Sequence, residues 1–132
     1  MKLLIVDDHP VMRFGVRQLV AQRWPEAEIG EASCLAQALE QARGTQWDIA
    51  LLDLSMPDTS GLEGLVRLHR AAPGMRVLVL SMHDEAAYAA RALQLGAAGY
   101  LTKEHATTER AAAVARARRG PRYRRSRLAA RP

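Results

Sequence analysis

A short apolar run at residues 49–52, Ile-Ala-Leu-Leu, constrains the fold more than any other stretch of the chain. The run has no polar alternation, which is typical of a strand covered on both faces, as in a parallel sheet. It ends at Asp53, and Pro57 and Gly61 then break the chain before the next helix. Because open α/β sheets place their ligands at the carboxyl ends of strands, Asp53 is the first candidate site residue.

A second apolar run, Leu3 to Val6, ends in two more acidic residues, Asp7 and Asp8. Two parallel strands that end in this way bring three carboxylates together at one edge of the sheet. Such carboxylates repel one another unless protons or a cation neutralise them. Mg²⁺ prefers oxygen ligands, so the sequence predicts a magnesium site formed by Asp53 with Asp7 or Asp8.

Strand and helix signals alternate five times along the chain. The predicted strands cover residues 2–7, 26–32, 48–53, 76–81 and 98–101, with residues 26–32 as an edge strand. The predicted helices start at Pro10, at a Ser33 cap, at a Thr59 or Ser60 cap, at an Asp84 cap, and at Thr107 or Thr108. This order indicates an α/β fold, with a doubly wound five-stranded parallel sheet between two layers of helices.

Two later strands also end in polar residues at the same edge, the fourth at Ser81 and the fifth at Thr102 and Lys103. Phosphoryl chemistry accounts for this combination. Asp53 is a candidate nucleophile that would form an acyl phosphate, and Mg²⁺ would offset charge on the transferring group. Lys103 and Ser81 would contact the remaining phosphoryl oxygens, so that catalysis is mostly positioning and electrostatics.

Several sites at this edge together match one known family. They are Asp7-Asp8-His9-Pro10, Asp53 with Met56-Pro57 and Gly61, Ser81, and Lys103. Over about residues 2–105 the chain resembles the receiver domain of two-component response regulators. Three sequence segments are similar to those of one subfamily, D-D-H-P-V-M-R-F-G, L-S-M-H-D and G-A-A-G-Y-L-T-K. Members of this subfamily usually carry a C-terminal helix-turn-helix domain of the LuxR type.

The resemblance implies a flavodoxin-like (βα)5 fold with strand order 2-1-3-4-5 and a role for each site residue. Asp53 would accept phosphate from a sensor histidine kinase. Asp7, Asp8, Asp53 and the Ser55 backbone carbonyl would bind Mg²⁺, and Lys103 would pair with the phosphate. Ser81 would swing toward the phosphate while Tyr100 moves inward, which would change the surface formed by the fourth helix, the fifth strand and the fifth helix. The protein would then be a switch for output such as transcription, with self-catalysed phosphorylation and autodephosphorylation only, rather than a turnover enzyme.

Each residue also has a plainer interpretation when it is taken alone. Asp7 and Asp8 could cap a helix, Ser81 could be a cap, Lys103 a solvated lysine, and Tyr100 an ordinary half-buried aromatic. His9 and His83 are interpreted as loop residues without a metal role. A phosphatase of the haloacid dehalogenase type is disfavoured, since it requires an aspartate where this chain has Ser55.

Charge divides the chain into an acidic body and a basic end. Residues 1–105 carry 10 Lys/Arg and 13 Asp/Glu, a net −3, whereas residues 106–132 carry nine Arg and one Glu, a net +8. We expect a receiver domain over residues 1–120 and a basic, flexible tail over residues 121–132. After residue 105 the resemblance fades and no helix-turn-helix pattern follows. A natural single-domain regulator, a truncation and a gene with a late frame change all remain open.

Partners and location follow from these features. A sensor kinase is expected, and a homodimer is open. DNA would be bound only through an output domain that this chain lacks or through the basic tail, which could bind phosphates. Cys34 is the single cysteine, and no apolar run approaches the roughly 20 residues that a membrane span needs. The expected location is cytoplasmic, away from the membrane.

Overall fold

The computed structural model describes residues 1–60, 62–81, 86–102 and 114–117. The strands are β1 (Lys2–Val6), β2 (Glu28–Ala32), β3 (Ile49–Asp53), β4 (Arg76–Ser81) and β5 (Gly99–Thr102). The helices are α1 (Pro10–Arg23), α2 (Leu35–Gly44), α3 (Glu63–Ala71) and α4 (Ala86–Gln94). Residues 114–117 form one further helical turn.

The five strands form one parallel sheet in the order β2-β1-β3-β4-β5. This confirms the predicted fold class and strand order. Asp53 lies opposite Leu80, and Ser81 lies opposite Thr102, so the ends of three adjacent strands are in register. The sheet therefore presents the carboxyl ends of β1, β3, β4 and β5 along one edge.

A separate apolar core covers each face of the sheet. On one face, β-strand residues such as Leu4, Leu52 and Val79 pack with buried residues of α2, α3 and α4. On the other face, Leu3, Leu51 and their neighbours pack with Val16 and Val20 of α1 and with Val114 and Ala117. Since successive side chains face opposite cores, residues 3–6 of β1, 49–52 of β3 and 77–80 of β4 are all apolar, whereas the edge strand β2 carries Glu28 and Glu31.

Two helix ends show how sequence positions these elements. Pro10 stands at the start of α1, where its missing N–H has no helical partner to lose. Helix α4 is followed by Gly96, whose φ of 107° lies in the left-handed region. The Gly96 N–H donates to the Leu93 carbonyl at 3.2 Å, and the Ala97 N–H donates to the Ala92 carbonyl at 3.0 Å. This Schellman arrangement ends α4.

The predicted caps of α2 and α3 are wrong. Helix α2 begins after Cys34, and the Ser33 hydroxyl donates to Gln37 Oε1 at 3.0 Å instead of capping the helix. The first amides of α2 donate to the Asp58 carboxylate, so a longer-range acceptor replaces Ser33. Helix α3 begins at Glu63 after Leu62 and has no side-chain cap; the Glu63 N–H donates to the Ser60 backbone carbonyl at 3.2 Å.

The limits of β4 are those predicted, and the limits of the other strands differ from the predictions by one or two residues, as at β2, which begins at Glu28. The predicted features at Gly61, His83, Asp84, Lys103 and residues 118–132 lie outside the described residues. So does most of the predicted fifth helix, of which residues 114–117 are helical. In the part of the chain that the structure describes, no helix has the length and apolarity to cross a membrane.

Candidate functional site

Three carboxylates meet at the carboxyl edge of the sheet, as the sequence predicts. Asp7 and Asp53 are buried, while the side chain of Asp8 is partly exposed. The Asp7 N–H donates to the Ala32 carbonyl at 3.0 Å, which extends the pairing of β1 with β2 to the first acid of the site. Asp7, Asp8, His9 and Asp53 each offer a ligand atom, and these atoms lie within 4.8 Å of one another.

His9 lies among the three carboxylates. Its Nδ1 atom is 3.0 Å from Asp7 Oδ1, 3.0 Å from Asp8 Oδ1 and 3.7 Å from Asp53 Oδ2. Its backbone N–H also donates to Asp7 Oδ1, at 2.9 Å. The expectation that His9 lies in a loop is confirmed, since it immediately precedes α1. Its position within the acidic cluster was not predicted.

Ser55 holds one oxygen of the candidate nucleophile. The Ser55 N–H donates to Asp53 Oδ1 at 3.0 Å, and the Ser55 hydroxyl donates to the same oxygen at 2.7 Å. Ser55 lies two residues beyond Asp53, in the turn after β3, so that its amide and its hydroxyl both reach the carboxylate. The two bonds together orient the carboxylate. Asp53 Oδ2 lies on the side of His9, toward Asp7 and Asp8.

The electrostatics of the cluster favour neutralisation of Asp7. Burial raises the pKa of Asp7 above its ordinary value, and the negative charge of Asp53 raises it further. The hydrogen bonds from His9 lower the pKa and offset part of this rise. The folded protein therefore holds a proton or another positive charge at Asp7 more readily than an exposed aspartate would.

The donor set fits a hard divalent cation. Three carboxylates supply oxygen ligands, which are the ligands that Mg²⁺ prefers. Asp8 Oδ1 is buried and has no hydrogen-bond partner of normal geometry among the described residues, although His9 Nδ1 is 3.0 Å away. A buried acceptor without a donor is costly unless another group satisfies it, and a metal ion would do so.

Ser81 and Tyr100 lie on the two strands beyond β3. Ser81 is buried at the end of β4, and Tyr100 is buried on β5. The Tyr100 ring contacts the ring of Tyr88 on α4 edge to face, with centroids 6.2 Å apart and an interplanar angle of 67°. The aromatic contact links β5 to α4, the helix whose surface is expected to respond.

The structure brings Asp7, Asp8, Asp53, Ser55 and Ser81 to one edge of the sheet, and Tyr100 lies on β5 opposite Val79 of β4. Lys103, the predicted phosphate partner, lies outside the described residues. The metal role of the Ser55 carbonyl and the switch role of Tyr100 stay predictions. His9 is the site residue that sequence reasoning missed, and its position directly after Asp7 and Asp8 was the available signal.

Comparison with known proteins agrees with this geometry. The family model described as the response regulator receiver domain matches residues 3–115. The response regulator UvrY of Escherichia coli K12 is 36% identical over 121 residues, which cover 92% of this chain and 56% of UvrY. A putative transcriptional regulator of Pseudomonas aeruginosa is 42% identical over 108 residues, 82% of this chain and 52% of that protein.

A crystal structure gives the same result. The two-component response regulator of the LuxR family from Aurantimonas sp. SI85-9A1 superimposes with a TM-score of 0.86 at 32% identity, covering 98% of this chain and 91% of that one. The chain spans a little more than half the length of UvrY and of the Pseudomonas regulator. Fold, site geometry and similarity agree, and the chain belongs to the response regulator receiver domain family of two-component systems.

Proposed function

We propose that the protein is a phosphorylation-dependent switch in which Asp53 accepts a phosphoryl group from a sensor histidine kinase in a Mg²⁺-dependent reaction. The carboxylate cluster carries this proposal. Asp53 ends a fully buried central strand and lies beside Asp7 and Asp8, with one oxygen fixed by Ser55. A buried acidic cluster of this kind is hard to explain by stability alone, because like charges held close together in the interior repel one another.

The proposed reaction transfers the phosphoryl group between two side chains. A carboxylate oxygen of Asp53 attacks phosphorus as the P–N bond of the donor phosphohistidine breaks, and the departing imidazole keeps the bonding pair and takes up a proton. The product is an acyl phosphate on Asp53. Ser55 fixes Oδ1 with two hydrogen bonds, and we therefore assign the attack to Oδ2.

Asp7, Asp8, Asp53 and the Ser55 carbonyl are the proposed Mg²⁺ ligands. When bound, the ion would offset the negative charge of the carboxylates and of the transferring phosphoryl group. The chain's own residues do the positioning, since the rigid ends of β1 and β3 hold the carboxylates within 4.8 Å of one another. Lys103 and Ser81 are proposed to contact the remaining phosphoryl oxygens.

Access to Asp53 requires a local rearrangement. The side chain of Asp53 has 0% exposed surface, whereas that of His9 is 53% exposed and its Nδ1 lies 3.7 Å from Asp53 Oδ2. A donor can approach only if a covering group moves. His9 stands on a loop at the protein surface, and we propose that it moves aside when a cation and a donor enter.

The surface next to His9 suits a protein donor. Val11 and Phe14 of α1 are 83% and 63% exposed, and their spacing of three residues places them on one side of the helix. Large exposed apolar side chains of this kind often mark a contact surface. This supports a sensor kinase that docks over the start of α1 while its phosphohistidine reaches Asp53.

The proposed conformational change passes through the core from the carboxylate site to α4. Ser81 ends β4 next to β3, Tyr100 occupies the neighbouring strand, and Tyr88 connects it to α4. A shift of Ser81 toward the phosphate would change the space available to Tyr100 and hence the surface formed by α4, β5 and the predicted fifth helix. We propose that this surface controls transcription through a DNA-binding output partner or domain, and that the protein turns over no other substrate.

The test is intact-protein mass after incubation with acetyl phosphate, with and without Mg²⁺. We expect a Mg²⁺-dependent gain of one phosphoryl group that is absent from Asp53→Ala and retained by Asp48→Ala, a control aspartate at the opposite edge of the sheet. Label retained in Asp53→Ala would overturn the assignment of the nucleophile. Equal labelling in the presence of a chelator would overturn the role of the ion.

A second candidate function, nucleic-acid binding, is favoured by one observation. The net charge of +8 in residues 106–132 is separated from the acidic body, and polyanions attract such segments. Fluorescence anisotropy with duplex DNA tests it. Binding that weakens steeply with salt supports it, and no binding at low salt rules it out.

A further inference from the structure

Arg13, on the second turn of α1, connects the acidic loop to the edge strand β2. Its Nη1 atom donates to the Asp7 backbone carbonyl at 2.8 Å, and its Nε atom donates to Glu31 Oε1 at 3.0 Å. Its backbone N–H donates to the His9 carbonyl at 2.9 Å. One residue therefore holds the two carbonyls that flank Asp8 in the chain.

The Arg13 side chain is itself held in place from the β2 side. Glu31 lies on β2, and its second carboxylate oxygen accepts a hydrogen bond from Arg17 Nη1 at 2.9 Å. The side chains of Arg13 and Glu31 are only 20% and 34% exposed, so solvent competes weakly for their hydrogen bonds. The guanidinium fork of Arg13 can bond Glu31 and the Asp7 carbonyl at the same time, which a lysine ammonium does less well.

We propose that Arg13 is a positioning residue for the metal site, and that Glu31 orients it. Arg13 fixes the plane of the Asp7–Asp8 peptide and thereby the direction of the Asp8 side chain. Mg²⁺ requires near-ideal octahedral geometry, so a loop held in one conformation binds it better than a loop that samples several. This inference rests on the magnesium site proposed above.

The alternative role for Arg13 is purely electrostatic, and it predicts the opposite sign. A fixed positive charge near three carboxylates competes with a cation, so its removal would strengthen Mg²⁺ binding. Positioning predicts that removal weakens binding. Outer-sphere partners of metal ligands typically change metal affinity 10- to 100-fold when they are lost, and we expect a loss in that range.

The experiment measures the Mg²⁺ dissociation constant by isothermal titration calorimetry for the wild type, Arg13→Ala, Arg13→Lys and Arg17→Ala. Arg17→Ala is the matched control, because Arg17 lies on the same helix and also bonds Glu31 but donates to the Ile29 carbonyl rather than to the Asp7 carbonyl. Thermal unfolding without metal identifies any variant that fails to fold.

We expect weaker Mg²⁺ binding in both Arg13 variants, near-normal binding in Arg17→Ala, and recovery of acetyl phosphate labelling of Arg13→Ala at saturating Mg²⁺. Unchanged or tighter binding in Arg13→Ala would overturn the inference, as would full rescue by Arg13→Lys, which keeps the charge but not the fork. If the wild type takes up no Mg²⁺, the proposed metal site fails together with the inference. If the wild type binds Mg²⁺ and the Arg13 variants bind it equally well, the site stands and the inference fails.

Discussion

At the scale of single residues, Asp7 couples stability to pH. Its pKa is raised above the ordinary value of 3.8, chiefly by burial. The folded state therefore holds this proton more tightly than the unfolded chain does. The resulting stabilisation is full below pH 3.8 and is lost as the pH rises through the folded-state pKa.

The variant Asp7→Asn tests this coupling because asparagine keeps the shape of aspartate but does not titrate. Without divalent cations, we expect the free energy of unfolding of the wild type to fall relative to that of Asp7→Asn as the pH rises above 3.8. Urea unfolding at a series of pH values in a chelator measures the difference. Parallel curves for the two proteins would show that Asp7 is not perturbed in this way.

Gly96 is a second residue whose role depends on its local geometry. Its φ of 107° is strained for any other residue, and a Cβ atom there would lie 2.9 Å from His69 Nε2. Gly96→Ala should therefore lower stability by about 1 kcal/mol or more. Gly15→Ala is the control, since a Cβ at this α1 position meets nothing within 4 Å and should add about 0.5–1 kcal/mol.

Thermal and urea unfolding of these two variants give the measurement. Opposite signs for Gly96→Ala and Gly15→Ala are expected, because the first replaces a left-handed glycine and the second replaces a glycine inside a helix. A neutral Gly96→Ala variant would contradict the view that the end of α4 depends on this glycine.

At the scale of elements, the start of α2 is held by a residue from another loop. Asp58 Oδ1 accepts the Leu35 N–H at 2.9 Å, and Asp58 Oδ2 accepts the Ala36 N–H at 3.1 Å. Asp58 follows β3 by five residues, so this contact also ties the loop after Asp53 to α2. The carboxylate replaces a local cap and stabilises the positive end of the helix.

Asp58→Ala should lower the free energy of unfolding by about 1 kcal/mol, at most, because the exposed carboxylate is screened by solvent. Ser33→Ala, which removes the cap that the sequence favours, should change it by less than about 0.5 kcal/mol. Urea unfolding compares the two variants. A larger loss in Ser33→Ala than in Asp58→Ala would contradict the observed capping.

The hydrogen bonds that the Asp58 carboxylate accepts from α2 also predict that stability depends on pH. The pKa of Asp58 is lowered, first by the hydrogen bond from the Leu35 N–H. The stabilisation that the Asp58 carboxylate provides is therefore present above pH 3.8, the ordinary pKa of the group, and is lost as the pH falls through the lower folded-state pKa. The difference in stability between the wild type and Asp58→Ala should disappear in acid.

At the scale of the whole molecule, the sequence predicts what depends on local pattern. The apolar runs at residues 3–6, 49–52 and 77–80 are long and unbroken enough to require two-sided burial, and acids follow two of them. The class of fold and the meeting of Asp7, Asp8 and Asp53 follow from that pattern and from parallel pairing.

The remaining features depend on tertiary contacts that have no local signal. Asp58 caps a helix that begins 23 residues earlier, and Arg13 bridges two strand ends. His9 differs from these two, because its backbone N–H bonds to Asp7, only two residues before it, so its place after the two acids was a local signal. A chain read in order shows which residues are near in sequence, whereas the contacts of Asp58 and Arg13 depend on which elements pack together.

Mg²⁺ should stabilise the whole domain, because a ligand that binds only the folded state shifts the unfolding equilibrium. At 100 times its dissociation constant, we expect Mg²⁺ to raise the free energy of unfolding by about 2.7 kcal/mol. Urea unfolding with and without Mg²⁺ measures this increment. Asp8→Ala should lose most of it, since Asp8 would supply a ligand.

Asp48→Ala is the control for this measurement. Asp48 lies at the opposite edge of the sheet, where its Oδ2 accepts the Lys2 N–H at 2.8 Å. Its loss should lower stability with and without Mg²⁺ by the same amount, so the increment should be unchanged. An increment that survives in Asp8→Ala, or that vanishes in Asp48→Ala, would place the ion elsewhere on the molecule and separate metal binding from the carboxyl edge of the sheet.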